Sequence, residues 1–107
     1  MVVQRSPTPP FAKGGAIPLL LATPMYHVYL LQSEKDTGYY IGFTTRSIEE
    51  RFVEHQDGLV DSTRNRRPMK LIYAENYLSE ALARKRERDL KQFGSAYQGL
   101  LKRLGEK

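Results

Sequence analysis

The chain has 107 residues and no cysteine, with 17 lysines and arginines against 12 aspartates and glutamates, for a formal net charge of +5. That length holds one domain with a modest core, and the missing thiols exclude disulfide and thiolate–metal frameworks. The basic balance suits a polyanionic partner without requiring one.

Residues 1–24 read as a flexible, proline-rich leader. Its apolar run, Ala16 to Ala22, is far shorter than the about 20 residues of a membrane span. Arg5 and Lys13 ahead of it give a superficial likeness to a secretion signal. Pro7, Pro9, Pro10 and Pro18 argue against that reading, and no small-x-small cleavage site follows. The expectation is a cytoplasmic chain with no membrane partner, its domain occupying residues 25–107.

The first strand is expected over Tyr26–Gln32. Its two faces, Tyr26/Val28/Leu30 and His27/Tyr29/Leu31, are both largely apolar, as suits a central strand. A polar break at Asp36-Thr37-Gly38 then leads to a second strand, Tyr39–Phe43, making a β-hairpin. If the strands pair symmetrically about the break, Tyr29 lies opposite Tyr40 and Val28 opposite Ile41. The two phenols then share a face that Gly42 leaves open. Tyr39 points the other way, into the core.

A capping box, Ser47 with Glu50, starts a helix running to Gln56, with Ile48, Phe52 and His55 on one stripe and Arg51 at its border. Asp57-Gly58 ends it. Residues 59–68 form a polar connection that gathers Arg64, Arg66 and Arg67 and closes at Pro68. A third strand follows, Met69 to about Glu75, with Met69, Leu71 and Tyr73 alternating against Lys70, Ile72 and Ala74. Asn76–Leu78 reads as a turn, and Ser79 caps a helix over Glu80–Phe93 that Gly94 stops. A second capping box, Ser95 with Gln98, opens a last short helix with Tyr97, Leu101 and Leu104 inward. The fold class is therefore α+β: a small three-stranded antiparallel sheet flanked by helices, in the order β-β-α-β-α-α.

Tyr29, Tyr40, Arg51 and His55 converge from the hairpin and the helix after it. Each has an ordinary reading as well. The chain has seven tyrosines, and two of them on a sheet are commonly packing aromatics. Arg51 suits the solvated edge of a helix, and His55 suits a helix C-terminus. A guanidinium fork, however, matches phosphodiester oxygens better than any other side chain. Glu87, in Lys85-Arg86-Glu87-Arg88, could pair with its basic neighbours. It nevertheless occupies the stripe of Ala83 and Leu90, where an unpaired carboxylate is costly. Glu80 is its rival, in a first turn where acids are common.

These residues resemble the GIY-YIG family of endonuclease domains, in its small single-domain form, over roughly residues 25 to 93. His27-Val28-Tyr29 stands for the first motif, Tyr40-Ile41-Gly42 for the second, and Arg51-x-x-x-His55 lies on the helix, with Glu87 later in order. The chain departs from the pattern in the first two residues of the first motif and in Phe43, where a small hydroxyl residue is frequent. An asparagine of some larger members has no counterpart.

The resemblance implies a catalytic set of Tyr29, Tyr40, Arg51, His55 and Glu87. One tyrosine orients or deprotonates the attacking water, Arg51 holds the scissile phosphate, His55 orients or handles a proton, and Glu87 holds a divalent metal. A lone carboxylate fits Mg²⁺, or Mn²⁺, which takes oxygen ligands and keeps much of its water. DNA is the expected partner, gripped through phosphates by Arg64, Arg66, Arg67, Arg84, Lys85 and Arg88. Two other functions fit the same composition: a non-catalytic nucleic-acid-binding module and a protein-interaction domain.

Overall fold

The computed structural model describes residues 25–106; the leader assigned to 1–24 lies outside the described residues. The sheet is three-stranded and antiparallel: β1 (Tyr26–Ser33), β2 (Tyr39–Thr44) and β3 (Met69–Tyr77), in the spatial order β2-β1-β3. β1 takes the centre because it is apolar on both sides. Val28, Leu30 and Ile41 join Ala83, Leu90, Leu100 and Leu101 in the larger core. On the other face Tyr29, Leu31 and Met69 form a smaller cluster under Ile48 and Phe52. Burying each such aliphatic side chain contributes about 1.5–3 kcal/mol.

Among the described residues four helices cover the two faces: α1 (Ile48–Gln56), α2 (Asp61–Arg64), α3 (Glu80–Lys91) and α4 (Ser95–Leu104). α1 lies over Tyr29, while α3 and α4 close the larger core. This is the α+β architecture and order read from the sequence, with one addition: the expected polar connection contains the helical turn α2. Among the described residues no helix is long and apolar enough to cross a membrane.

The hairpin register differs from symmetrical pairing by two residues. Tyr29 faces Gly42, Leu30 faces Ile41 and Leu31 faces Tyr40. The turn sets this offset. Ser33 Oγ accepts from the amides of Lys35 and Asp36 at 3.0 Å, Asp36 Oδ1 accepts from Gly38 N at 2.7 Å, and Ser33 N donates to Gly38 O at 2.8 Å. These side-chain turns centre the reversal on Lys35-Asp36, with Thr37 rather than a glycine at a positive φ of 62°. Because the slip is even, every side chain keeps its face.

β3 breaks the expected alternation. Leu30 pairs with Tyr73 but Leu31 with Leu71, which leaves Ile72 as the extra residue of a β-bulge. Past the bulge the faces exchange. Met69 and Ala74 join the Tyr29 side, and Ile72, Tyr73 and Tyr77 join the larger core. The strand also runs on to Tyr77, through most of the expected turn.

At its far end α3 stops at Lys91, and Phe93, not Gly94, takes the left-handed conformation (φ 57°). Gly94 is the N-cap of α4, and Ser95 is its first helical residue. No side-chain cap forms there, so the second capping box is not made. Ser47 and Ser79 do cap, accepting from Glu50 N at 3.1 Å and Leu82 N at 3.2 Å.

Candidate active site

The smaller face of the sheet gathers the polar cluster. Tyr29, from the central strand, is buried, as is His55 from the last turn of α1. The phenol oxygen of Tyr29 lies 2.8 Å from His55 Nε2 and accepts from Arg51 Nε at 3.3 Å. The Tyr40 ring centroid is 6.3 Å from that of Tyr29 and 5.1 Å from that of His55, and Tyr40 keeps partial exposure. The α-helical spacing of Arg51 and His55 puts both on Tyr29. Gly42 makes the arrangement possible, because a Cβ there would stand 2.3 Å from the Tyr29 ring and hydroxyl. A phenol held by two hydrogen bonds could not swing aside without breaking them.

The other imidazole nitrogen finds a residue the sequence reading passed over. Thr63, fully buried on α2, places Oγ1 2.8 Å from His55 Nδ1. Satisfying every buried donor fixes the direction of the chain of bonds. If Nε2 carried the proton, the Tyr29 hydroxyl would be a buried donor with no acceptor. With the proton on Nδ1, His55 donates to Thr63, whose hydroxyl has Val60 O at 3.5 Å, and Tyr29 donates to Nε2. Burial, followed by the Arg51 guanidinium, pushes the His55 imidazole down to about 4, so it is neutral near pH 7. Burial pushes the Tyr29 phenol up to about 12; Arg51 opposes the rise, and Tyr40 and the Glu87 carboxylate add to it.

Glu87, on the helix that closes the larger core, acts on Tyr29 through its charge, the smallest of these influences. Its side chain is 16% exposed, and Oε2 accepts from Lys91 Nζ at 2.9 Å. Among the described residues no cluster of three or more metal-ligating side chains exists. A permanent multi-ligand cage is thus not what this donor set makes. A single half-sheltered carboxylate fits a hard divalent ion that keeps most of its water and shares phosphate oxygens. Glu80, the rival, is exposed and spent on Arg84 Nε at 2.9 Å.

A second carboxylate, also missed, sits beside Arg51. Glu54 accepts from Arg51 Nη1 at 2.8 Å and from Arg46 Nη1 and Nη2 at 2.6 and 2.7 Å. The bonds from Arg46 and then Arg51 hold its carboxyl down at about 2. The i,i+3 spacing of Arg51 and Glu54 was a usable signal; Arg46, across the helix start, was not.

The basic residues assigned to nucleic acid fall in two places. On α3, Arg84 pairs with Glu80 and stacks 4.1 Å over the Phe43 ring, and Lys85 pairs with Asp89 at 2.8 Å. Arg88 is exposed. Around α2, Arg66 is turned back onto Asp36 Oδ2 at 3.0 Å and Tyr39 O at 3.4 Å. Arg64 pairs with Asp61 at 2.7 Å, and Arg67 donates to Arg64 O and Gln56 O at 2.8 and 3.3 Å.

The family model for the GIY-YIG catalytic domain matches residues 25–99. A UPF0213 protein of Staphylococcus haemolyticus is 36% identical over 69 residues, 64% of this chain and 82% of the relative. One of Natronomonas pharaonis is 35% identical over 72 residues, 66% and 82% of the two chains. One of Desulfotalea psychrophila is 35% identical over 86 residues, 78% and 76%. No solved structure gives a significant match. With the tyrosine pair on the hairpin, the arginine and histidine on α1 and a match over most of its length, the chain belongs to the GIY-YIG catalytic domain family of endonucleases.

Proposed function

We propose that this domain is a divalent-metal-dependent endonuclease that hydrolyses phosphodiester bonds in DNA, selecting substrates by shape and serving repair or recombination. The observation that carries the reading is the bonded set Thr63–His55–Tyr29–Arg51, with Tyr40 beside it and the charge of Glu87 within reach. Arg51 retains donors beyond the two it spends on Tyr29 and Glu54, and these would take the scissile phosphate. Tyr40, partly exposed, would meet the attacking water. Tyr29, wired to neutral His55, would accept a proton at its oxygen as its own passes to Nε2. Glu87 would hold Mg²⁺ or Mn²⁺; when bound, the ion would supply positive charge against the developing charge on the phosphate. Exposed cations grip phosphates without reading bases, which favours nicks, flaps or branches over a sequence motif.

Glu87→Gln tests this. The variant loses only an i,i+4 pair whose lysine is half exposed, worth about 0.3–0.5 kcal/mol, so it should melt like the intact chain and still bind DNA. Its single-turnover cleavage of a nicked or branched duplex with Mg²⁺ should fall by roughly 10²–10³-fold. Equal rates in a folded variant would end the metal assignment. DNA binding without cleavage by the intact chain, across metals and substrates, would make the domain a non-catalytic module instead.

A further inference from the structure

An open groove of about 480 Å³ lies at the C-terminal end of α1, lined by Lys35, Gln56, Arg64, Asn65, Arg67 and Pro68. Three separate segments build it: the hairpin turn, the last turn of α1 and the stretch around α2. Its three cations differ from those of α3 in one respect. On α3, Arg84, Lys85, Arg86 and Lys91 each face a carboxylate at 2.8–2.9 Å. In the groove only Arg64 does, through Asp61. Lys35 Nζ is held by Asn65 O at 3.1 Å, and Arg67 by the carbonyls of Arg64 and Gln56. Carbonyls orient a cation without neutralising it. Lys35 therefore keeps two of three donors, and Arg67 three of five.

We infer that this groove is a second phosphate site, which holds the DNA backbone away from the scissile bond, and that Lys35 and Arg67 are its principal contacts. The inference rests on the nuclease reading above and names where that substrate is gripped. Position supports it: Gln56 and Arg64, in the groove wall, are the immediate sequence neighbours of His55 and Thr63. Gln56 also follows Arg51 by five residues on α1, roughly 7.5 Å along the helix axis, so the uncompensated charge begins at the end of the helix that carries Arg51. Arg66 is excluded by its turn onto Asp36, and the α3 cations, Arg88 apart, are excluded by their partners. The groove carries no base-reading geometry, so the site binds backbone and takes unrelated sequences alike.

The test is a set of binding titrations on two duplexes of unrelated sequence, in EDTA to prevent cleavage, across a range of salt concentrations. For Lys35→Gln with Arg67→Gln, the slope of log K against log salt should shrink by about 1.8, or 0.9 per lost phosphate, on both duplexes. Arg84→Gln with Lys85→Gln should leave the slope unchanged. Because Arg67 also ties down the end of α1, melting curves accompany each variant. Lys35→Gln alone, on an exposed turn, should still remove about 0.9. An unchanged slope in folded Lys35→Gln, or a loss confined to the α3 variant, would overturn the site. So would a free mononucleotide that binds as tightly as the duplex and depends on the same two residues. Cleavage by the intact chain, measured separately with Mg²⁺, keeps the two readings apart. A reduced slope with no cleavage spares the groove and sinks the nuclease; cleavage with an unchanged slope does the reverse.

Discussion

The two faces of the sheet each carry a cluster of tyrosine and arginine, and the clusters are built to opposite ends. On the α3 side, Glu75 accepts from Tyr73 at 2.8 Å, Tyr77 at 2.7 Å and Arg86 through three bonds of 2.9–3.2 Å. Burial works to raise the Glu75 carboxyl, and the bonds from Arg86, Tyr77 and Tyr73 outweigh it. Charge meets charge and each phenol has an acceptor. On the α1 side, Tyr29 meets a neutral imidazole and Arg51 instead of a carboxylate; Arg51 shares Glu54 with Arg46, and Glu87 is held by Lys91. The first cluster is closed and adds stability. The second leaves unspent donors and a displaceable proton, which is what chemistry needs.

Exchanging the two arginines' fates gives the sharpest contrast. Arg51→Gln should lower cleavage by roughly 10²–10³-fold. Its stability cost should be under about 1 kcal/mol, since the Glu54 pair is partly exposed. Arg86→Gln should do the opposite, leaving cleavage intact while stranding Glu75, a cost of about 2–3 kcal/mol read from urea titration. Normal cleavage by Arg51→Gln would erase the distinction between the faces.

Acid should reach the two clusters in sequence. Unfolded histidine titrates near 6.5 and folded His55 at about 4, so between those values the unfolded chain binds the extra proton. Stability therefore falls as pH drops from 6.5 towards 4 and this contribution levels off below that, a loss on the order of 3 kcal/mol. The Glu75 contribution, from a lowered carboxyl, is lost only as the pH enters the carboxylate range below about 4.5. Unfolding titrations from pH 7 to 4.5 should show the slope in the intact chain and not in His55→Gln; the same slope in both would remove His55 as its source.

The smallest effect belongs to Thr63. Thr63→Val keeps the shape and removes the acceptor for Nδ1–H, for about 1 kcal/mol, or roughly fivefold in rate. Thr63→Ser should restore it. Imidazole ¹⁵N shifts report the tautomer directly: Nδ1–H in the intact chain and in Ser, and a mixture in Val. An intact chain with the proton on Nε2 would reverse the direction of the whole set of bonds.

Much of this was legible in the sequence because periodicity sorts faces. Tyr29 and Tyr40 share a face although their register was placed two residues off, since an alternating pattern is blind to even slips. Arg51 and His55 followed from helical spacing alone. An odd insertion defeats the same logic, as at Ile72, where the bulge moved Tyr73 to the opposite side. Nor does periodicity know about partners distant in sequence. Thr63 and Arg46 looked like loop residues until tertiary packing brought them to His55 and Glu54. At Phe93, a ring-to-ring contact of 4.9 Å with Tyr97, at the start of the next helix, accompanies a backbone conformation that residue preferences assign to the glycine beside it.

Glu54 gives Arg51 a resident rival. A carboxylate gripped by two guanidinium groups takes one Nη1 donor of Arg51 and offsets its charge, so an incoming diester would compete with it for the arginine. A small ion such as dissolved inorganic phosphate brings nothing to that exchange beyond its own charge. A polynucleotide anchored elsewhere on the surface arrives at high local concentration and can displace the rival. One acidic side chain would thus set Arg51 against free phosphate without closing it to an anchored strand.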